Sequence, residues 1–355
     1  MSQRILALDV VRGGALFGVL VVNLITEFRV SIFQQFLTGP GSAVERVVDF
    51  ALESKAFALF SLLFGIGLAI QHERLQETGR ATWFLSRRLI ALLAFGLLHL
   101  LFIWNGDILT EYAIAGFVVL PFLRLPADRL AKASLAFFAI FFFLAFVPQP
   151  LRLPDSASLE RHVALATRVY ANGSYAEIWR FSFEELRLIL PLHVNVFART
   201  VALMLLGAAV WKSELLTRSI AVFSVLATAA GLGLTAVDEP AIVSGMVAPI
   251  VLALGYGALL YTLARGGKPR FVLEPLAALG RMAFTNYILQ SVVFAFVFFG
   301  FGAGQFGKMS AAQALVLGLA VYVAQMMLSM VWLRSFQYGP LEWLWRVLMY
   351  GRRPA

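Results

Sequence analysis

Apolar residues run along this chain in long blocks, with polar residues gathered at the block ends. Ten blocks stand out, at about 10–28, 47–70, 84–103, 109–123, 131–147, 193–211, 218–236, 241–263, 279–301 and 312–333. Each predicts a helix. At about 1.5 Å per residue, roughly twenty residues cross the hydrocarbon core of a bilayer. The fourth block is the shortest. No internal repeat, low-complexity tract or second soluble domain interrupts them.

Composition turns this pattern into a class. The chain has 355 residues, 60% hydrophobic and 14% charged. Soluble domains lie nearer about 45–50% apolar and about 25% charged. The expected fold is therefore an all-α integral membrane protein, a single polytopic helical bundle over residues 1–355. The first apolar run contains Arg12 and leads into no small-residue cleavage site, so it reads as a retained helix. Cysteine is absent, which excludes disulfides, thiolate metal sites and cysteine nucleophiles. No spacing suggests a metal site.

The formal charge is +9. With the N-terminus in the cytosol, most of the 29 Lys and Arg fall on cytosolic segments. The short outer loops keep Arg29, Arg46, Lys55 and Lys308. Ten spans also return the basic C-terminal tail, 334–355, to the cytosol. The charge thus reflects orientation and anionic headgroups, and nucleic acid is not an expected partner. The segment 148–192 is the one sizeable extracytoplasmic piece. It opens on the Pro-rich "PQPLRLP", and "SFEE" (Ser182 to Glu185) matches a capping box ahead of an amphipathic helix. "NGS" at Asn172 is a glycosylation sequon, meaningful only in a host that glycosylates.

Polar residues inside apolar blocks carry the candidate chemistry. In "SRRLIALLAFGLLHLLFIWNGDIL", Arg88 and His99 are eleven residues apart. Eleven steps of about 100° close to within about 20° of three turns, so both share one face, about 16.5 Å apart along the axis. Gly96 leaves room beside His99. A ligand with a phosphorylated head and a long thin arm suits this spacing, with phosphate at Arg88 and its reactive end at His99. Coenzyme A thioesters have that shape. The plainer account makes Arg87 and Arg88 positive-inside anchors and His99 a hydrogen-bonded residue between helices. His72, in a cytosolic loop, His162, in the outer segment, and His193, at the entry of the sixth span, are weaker candidates.

Asp107 and Glu111, four apart, start the fourth helix, where they can cap it or orient an acceptor hydroxyl with Tyr112 beside them. Asp9 and Arg12 can pair at i,i+3. Gly14 and Gly18 form a GxxxG, a packing signal, as are the small residues of "FSLLFGIG". Asn23 lies deeper in the first span. Asn286 and Gln290 share a face of the ninth, with Arg281 at its cytosolic end, and serve as interhelical glue or line a cavity.

"RILALDVVRGGALFGVLVVNL", "FSLLFGIGLAIQHER", "RRLIALLAFGLLHLLFIWNGDILTEYAIAG" and "LGRMAFTNYILQS…FQYGPLEWLWR" together resemble the YeiB-like bacterial membrane proteins, whose domain is of unknown function. That family is similar to a wider transmembrane acyltransferase superfamily, which includes the acyltransferase-3 enzymes and the lysosomal heparan-glucosaminide acetyltransferase. The resemblance implies a ten-helix core in the bacterial inner membrane, a cytosolic acyl-CoA co-substrate and a glycan or lipid-linked acceptor on the far side. Arg88 and His99 match the arginine, ten residues, histidine pattern of the acyltransferase-3 enzymes. Asp9 and Arg12 match their leucine-aspartate-x-x-arginine opening. Where those enzymes commonly place a second histidine, this chain has Asn23, which cannot act as a base, so His99 would act alone.

Three readings follow. In the first, His99 is the base or acyl carrier of a membrane acyltransferase. Arg88, with Arg12, Arg87 and Arg281, holds donor phosphates, and Asp107, Glu111, Tyr112, Asn286 and Gln290 meet the acceptor. Asp9 and Asn23 are structural polar residues. The second is a transporter or flippase for an anionic or lipid-linked solute, which the lack of paired broken helices disfavours. The third is a non-catalytic membrane scaffold. A homodimer is compatible with all three.

Overall fold

A computed structural model describes residues 3–146, 153–237, 243–266 and 270–351. Among the described residues the protein is all helical, with fifteen α-helices and no strand. They are α1 (Gln3–Asn23), α2 (Gln34–Thr38), α3 (Ala43–Ala51), α4 (Lys55–Gln76), α5 (Ala81–Phe102), α6 (Leu109–Val119), α7 (Ala127–Leu144), α8 (Ser156–Asn172), α9 (Tyr175–Lys212), α10 (Ala221–Thr235), α11 (Ala248–Arg265), α12 (Arg270–Arg281), α13 (Ala283–Phe298), α14 (Ala311–Ser335) and α15 (Pro340–Tyr350).

Each of the ten apolar blocks is largely helical, but their lengths differ from expectation. Among the described residues six stretches are long and apolar enough to cross a bilayer: Leu6–Phe28, Ala43–Gln76, Ala81–Phe102, Tyr175–Lys212, Gly245–Arg265 and Ala311–Ser335. A seventh is a bent pair, Leu273–Arg281 with Ala283–Phe298, turned by 80°. The blocks at 109–123, 131–147 and 218–236 account for the difference. α6 gives way after 11 residues to a 3-10 turn holding Pro121. α7 carries Asp128, Arg129 and Lys132 in its first turns. α10 has only 15 residues.

α1 is the most enclosed of these spans and packs against α4, α11, α12, α13 and α14. Gly14 lies against Leu260 of α11 and Gly18 against Ala56 of α4, so the two glycines seat different neighbours. Large apolar side chains on α5, α7, α10 and α14, such as Leu98, Phe143, Leu226 and Leu328, point outward. A bilayer would solvate such a surface, and water would not.

Three local expectations are corrected. Ser182 and Glu185 do not start a helix: α9 runs unbroken from Tyr175, and its capping box is Ser174 with Glu177. Ser182 is interior, because the stronger stop at Gly173 has already separated α8 from α9. His72 belongs to α4 and is buried, not in a loop. The ninth block is not one helix, because it breaks at Met282 between α12 and α13. At the break Gly280 meets α1 so closely that a Cβ there would lie 1.9 Å from the Asp9 carbonyl oxygen. The first N–H groups of α13 then turn to Glu342 of α15: Phe284 N and Thr285 N donate to Oε1 at 2.8 and 3.0 Å. Of "PQPLRLP", residues 148–152 lie outside the described residues, as do 352–355 of the C-terminal tail.

Candidate functional site

α5 brings Arg88 and His99 onto one face, as the spacing requires. Between them Leu92, one turn beyond Arg88, lines a cavity of about 250 Å³. The cavity runs beside α4 as well, from Phe57 and Phe60 near its start to Gly67 and Gln71 near its end. Its two ends differ in chemistry.

One end is cationic. Arg12, Arg88, Arg281 and Arg346 all line it. Arg12 is paired with Asp9 at 2.8 Å. The Arg88 guanidinium lies 3.4 Å from the centroid of the Trp345 ring, and Trp345 Nε1 donates to the Arg88 carbonyl at 2.8 Å. Arg88 Nε is buried without a partner, as is Gln71 Oε1 on the same wall. A buried polar atom left unpaired costs about 1–3 kcal/mol, so this end can take a group that supplies an acceptor to arginine and a donor to glutamine. Glu342 closes it beside Tyr338. Burial raises the Glu342 carboxyl above the ordinary range, against the lowering effect of its bonds from Thr285 and Phe284.

The other end is aromatic. Tyr112 and Tyr287 line it with Ile108 and Leu109. The Tyr112 hydroxyl bonds Ser61 Oγ at 3.0 Å and donates to the Phe57 carbonyl at 2.9 Å. His99 stands one ring beyond the wall: its centroid is 5.3 Å from that of Tyr287. His99 Nδ1 is 2.8 Å from Asp107 Oδ1, with both side chains almost fully buried. A carboxylate there assigns the proton to Nδ1 and leaves Nε2 as an acceptor. That Nε2 is buried and has no partner.

Asp107 has two tasks at once. Its Oδ2 accepts from Thr110 N at 2.7 Å and so caps α6, while Oδ1 holds the histidine. Gly96 explains the reach. The room that the sequence suggested beside His99 is not free: a Cβ on Gly96 would lie 2.6 Å from Thr110 N. The glycine admits the start of α6 against α5.

The other expected site residues divide. Arg12, Arg88, Arg281 and Tyr112 gather on the cavity. Arg87 turns away and donates to the Leu348 carbonyl at 2.8 and 3.1 Å, tying α5 to α15. Glu111 is engaged by α9: His193 Nδ1 lies 2.6 Å from Oε2, and Thr200 Oγ1 donates to Oε1 at 2.6 Å. Asn286 donates to Ser329 Oγ at 2.9 Å and Gln290 to Gln325 Oε1 at 2.8 Å, so both join α13 to α14. Asn23 is buried, with Oδ1 unpartnered. Among the described residues no group of His, Asp and Glu is placed to hold a metal.

Sequence reasoning missed Gln71, Tyr287, Glu342, Trp345 and Arg346. Tyr287 sits next to Asn286, which was singled out, but a tyrosine in an apolar helix carries no signal of its own. The α15 residues line the cavity only because the tail folds back under α5 and α13.

A family model described as "Protein of unknown function (DUF418)" matches residues 197–352. The chain is also 33% identical, over 389 aligned positions, to the uncharacterized protein YxaH of Bacillus subtilis (strain 168), across 98% of this chain and 95% of that one. The chain belongs to the DUF418 family. It is likewise 28% identical to the uncharacterized protein YeiB of Escherichia coli (strain K12), across 98% of this chain and 96% of YeiB. An uncharacterized 39.9 kDa protein in the amylase 3' region of Bacillus acidopullulyticus is 28% identical, across 99% and 96%. No solved structure matches. The residues matched by the family model include α13 and α15, hence Tyr287, Glu342 and Trp345, but not His99.

Proposed function

We propose that this DUF418 protein is a membrane acyltransferase. It moves an acyl group from a cytosolic acyl-CoA-type thioester to a hydroxyl or amino group, on a glycan or lipid-linked acceptor, at the opposite side of the bilayer. One observation carries the reading: a single cavity holds four arginines and Tyr287 in its lining, and the carboxylate-oriented His99 stands one ring behind Tyr287. The arginines suit phosphates, which guanidinium groups recognise with paired donors. The arm of the thioester would lie along Leu92 and Phe60. His99 Nε2 would take the acceptor proton, with Asp107 holding the ring and stabilising its charge. In this reading the chain crosses the bacterial inner membrane ten times, with both termini in the cytosol and the short helices completing partial crossings.

The test is release of free thiol from acyl-CoA by purified protein in nanodiscs, over a panel of sugar, lipid-phosphate and amine acceptors. Acceptor-dependent release lost in His99→Ala supports the proposal. Equal rates for wild type and variant end it.

The break at Met282 favours a second reading. Discontinuous helices beside a charged cavity also occur in transporters. Uptake of an anionic solute into proteoliposomes, independent of any thioester, would mark that function.

A further inference from the structure

Tyr287 sits where the donor cavity ends and the histidine begins. Its ring lines the cavity, and the same ring is the neighbour of His99. Its hydroxyl is buried and its O–H finds no acceptor. The Ile108 backbone N–H faces that oxygen as a donor, which leaves the phenolic proton uncommitted. Two polar atoms with open valences, one acceptor and one donor, therefore stand on adjacent rings, Tyr287 OH on the cavity lining and His99 Nε2 on the ring behind it. A buried polar atom left without a partner costs free energy, so each of the two calls for a group that supplies its missing bond.

Their chemistry is complementary. An acyl transfer needs a base for the acceptor and a donor for the carbonyl oxygen, which becomes an anion in the tetrahedral intermediate. The positions assign the parts. A thioester in the cavity meets Tyr287 first, because Tyr287 lines the wall and His99 lies beyond it. The base then serves an acceptor arriving from the other side.

Resting on the acyltransferase reading, we infer that Tyr287 is a catalytic residue whose O–H donates to the thioester carbonyl oxygen as negative charge develops there. The acceptor oxygen loses its proton to His99 Nε2 and forms a C–O bond with the carbonyl carbon. The carbonyl electron pair moves onto oxygen, where Tyr287 stabilises it. Collapse re-forms the C=O bond and breaks the C–S bond. The His99 proton passes to the departing sulfur, so thioester plus alcohol becomes ester plus thiol.

Tyr287→Phe keeps the ring against His99 and removes only the donor. Losing one oxyanion donor lowers kcat by about 10²–10³-fold. The expected result is that loss with the dissociation constant for a non-reactive thioether analogue of the donor unchanged. A wild-type kcat in Tyr287→Phe overturns the inference while His99-dependent turnover leaves the acyltransferase reading standing. If wild type itself shows no His99-dependent turnover, both fall, and the fault is in the reading. Should Tyr287→Phe fold poorly, fluorotyrosine at 287 decides. A more acidic phenol must change kcat if its proton is donated in the transition state, and an unchanged kcat overturns the role.

Discussion

His99 and Asp107 are joined through Nδ1 and Oδ1 at 2.8 Å, across the close approach of α5 and α6. The pair is buried almost completely, so the ring has one orientation and one tautomer. Asp107→Asn is the direct probe. Asparagine keeps an oxygen for capping Thr110 N but no longer selects the Nδ1–H tautomer. Thiol release should fall by about 10²–10⁴-fold, the range general acid–base catalysis contributes. Thermal stability should drop far less than in Asp107→Ala, which also loses the cap, worth about 1 kcal/mol.

Arg88 is half-buried, stacked on Trp345, and its enclosed Nε lacks a partner. Arg88→Ala should weaken binding of coenzyme A by about 10–100-fold, the equivalent of one charge-assisted hydrogen bond of about 1.5–3 kcal/mol. Arg88→Lys should restore little, because lysine has neither the planar stack nor the fork. Isothermal titration against the detergent-purified protein reads both.

Gly67 opens the cavity between α4 and Arg12: a Cβ there would meet only Arg12 Nη2, at 3.6 Å. Gly67→Leu should therefore fold normally and fill the space beside the arginines that the donor phosphates need. Size-exclusion behaviour should match wild type while coenzyme A binding is abolished. Retained binding would place the ligand elsewhere.

Glu111 is held by His193 and Thr200, which makes it a clamp of α6 on α9. Glu111→Ala strands two partners, and truncating a buried hydrogen-bonded group costs about 1–3 kcal/mol. The expected outcome is a lower Tm with the donor dissociation constant unchanged. An unchanged Tm with a raised KM for the acceptor would return Glu111 to the acceptor role that its sequence position suggested.

Glu342 sets a pH dependence. Burial raises its carboxyl above the ordinary range in the folded protein. The folded state then binds more protons than the unfolded state between the ordinary and the raised value. Stability is complete below the ordinary glutamate range and falls as pH rises through the folded value. Tm measured from pH 4 upward should show this slope, and Glu342→Gln, which keeps an acceptor for Thr285 N, should flatten it.

The apolar blocks and the sparse charge determined an all-helical membrane bundle, because a span needs length and apolarity and both are local properties. The Arg88–His99 relation was legible for the same reason, since helical phase depends on spacing alone. Asp9 with Arg12 was equally local. Which polar residues face a common space was not local. Arg281 and Arg12 meet the cavity while Arg87, next to Arg88, bonds the tail. Asn286 and Gln290 were ambiguous until α14 supplied partners. The break at Met282 and the return of α15 beneath α5 were decided by contacts between distant segments: Gly280 on α1, Glu342 on α13 and Trp345 on Arg88. A single sequence lists the groups that can make such contacts. The packing of the bundle selects among them, because burial forces each polar atom to find a partner or a ligand.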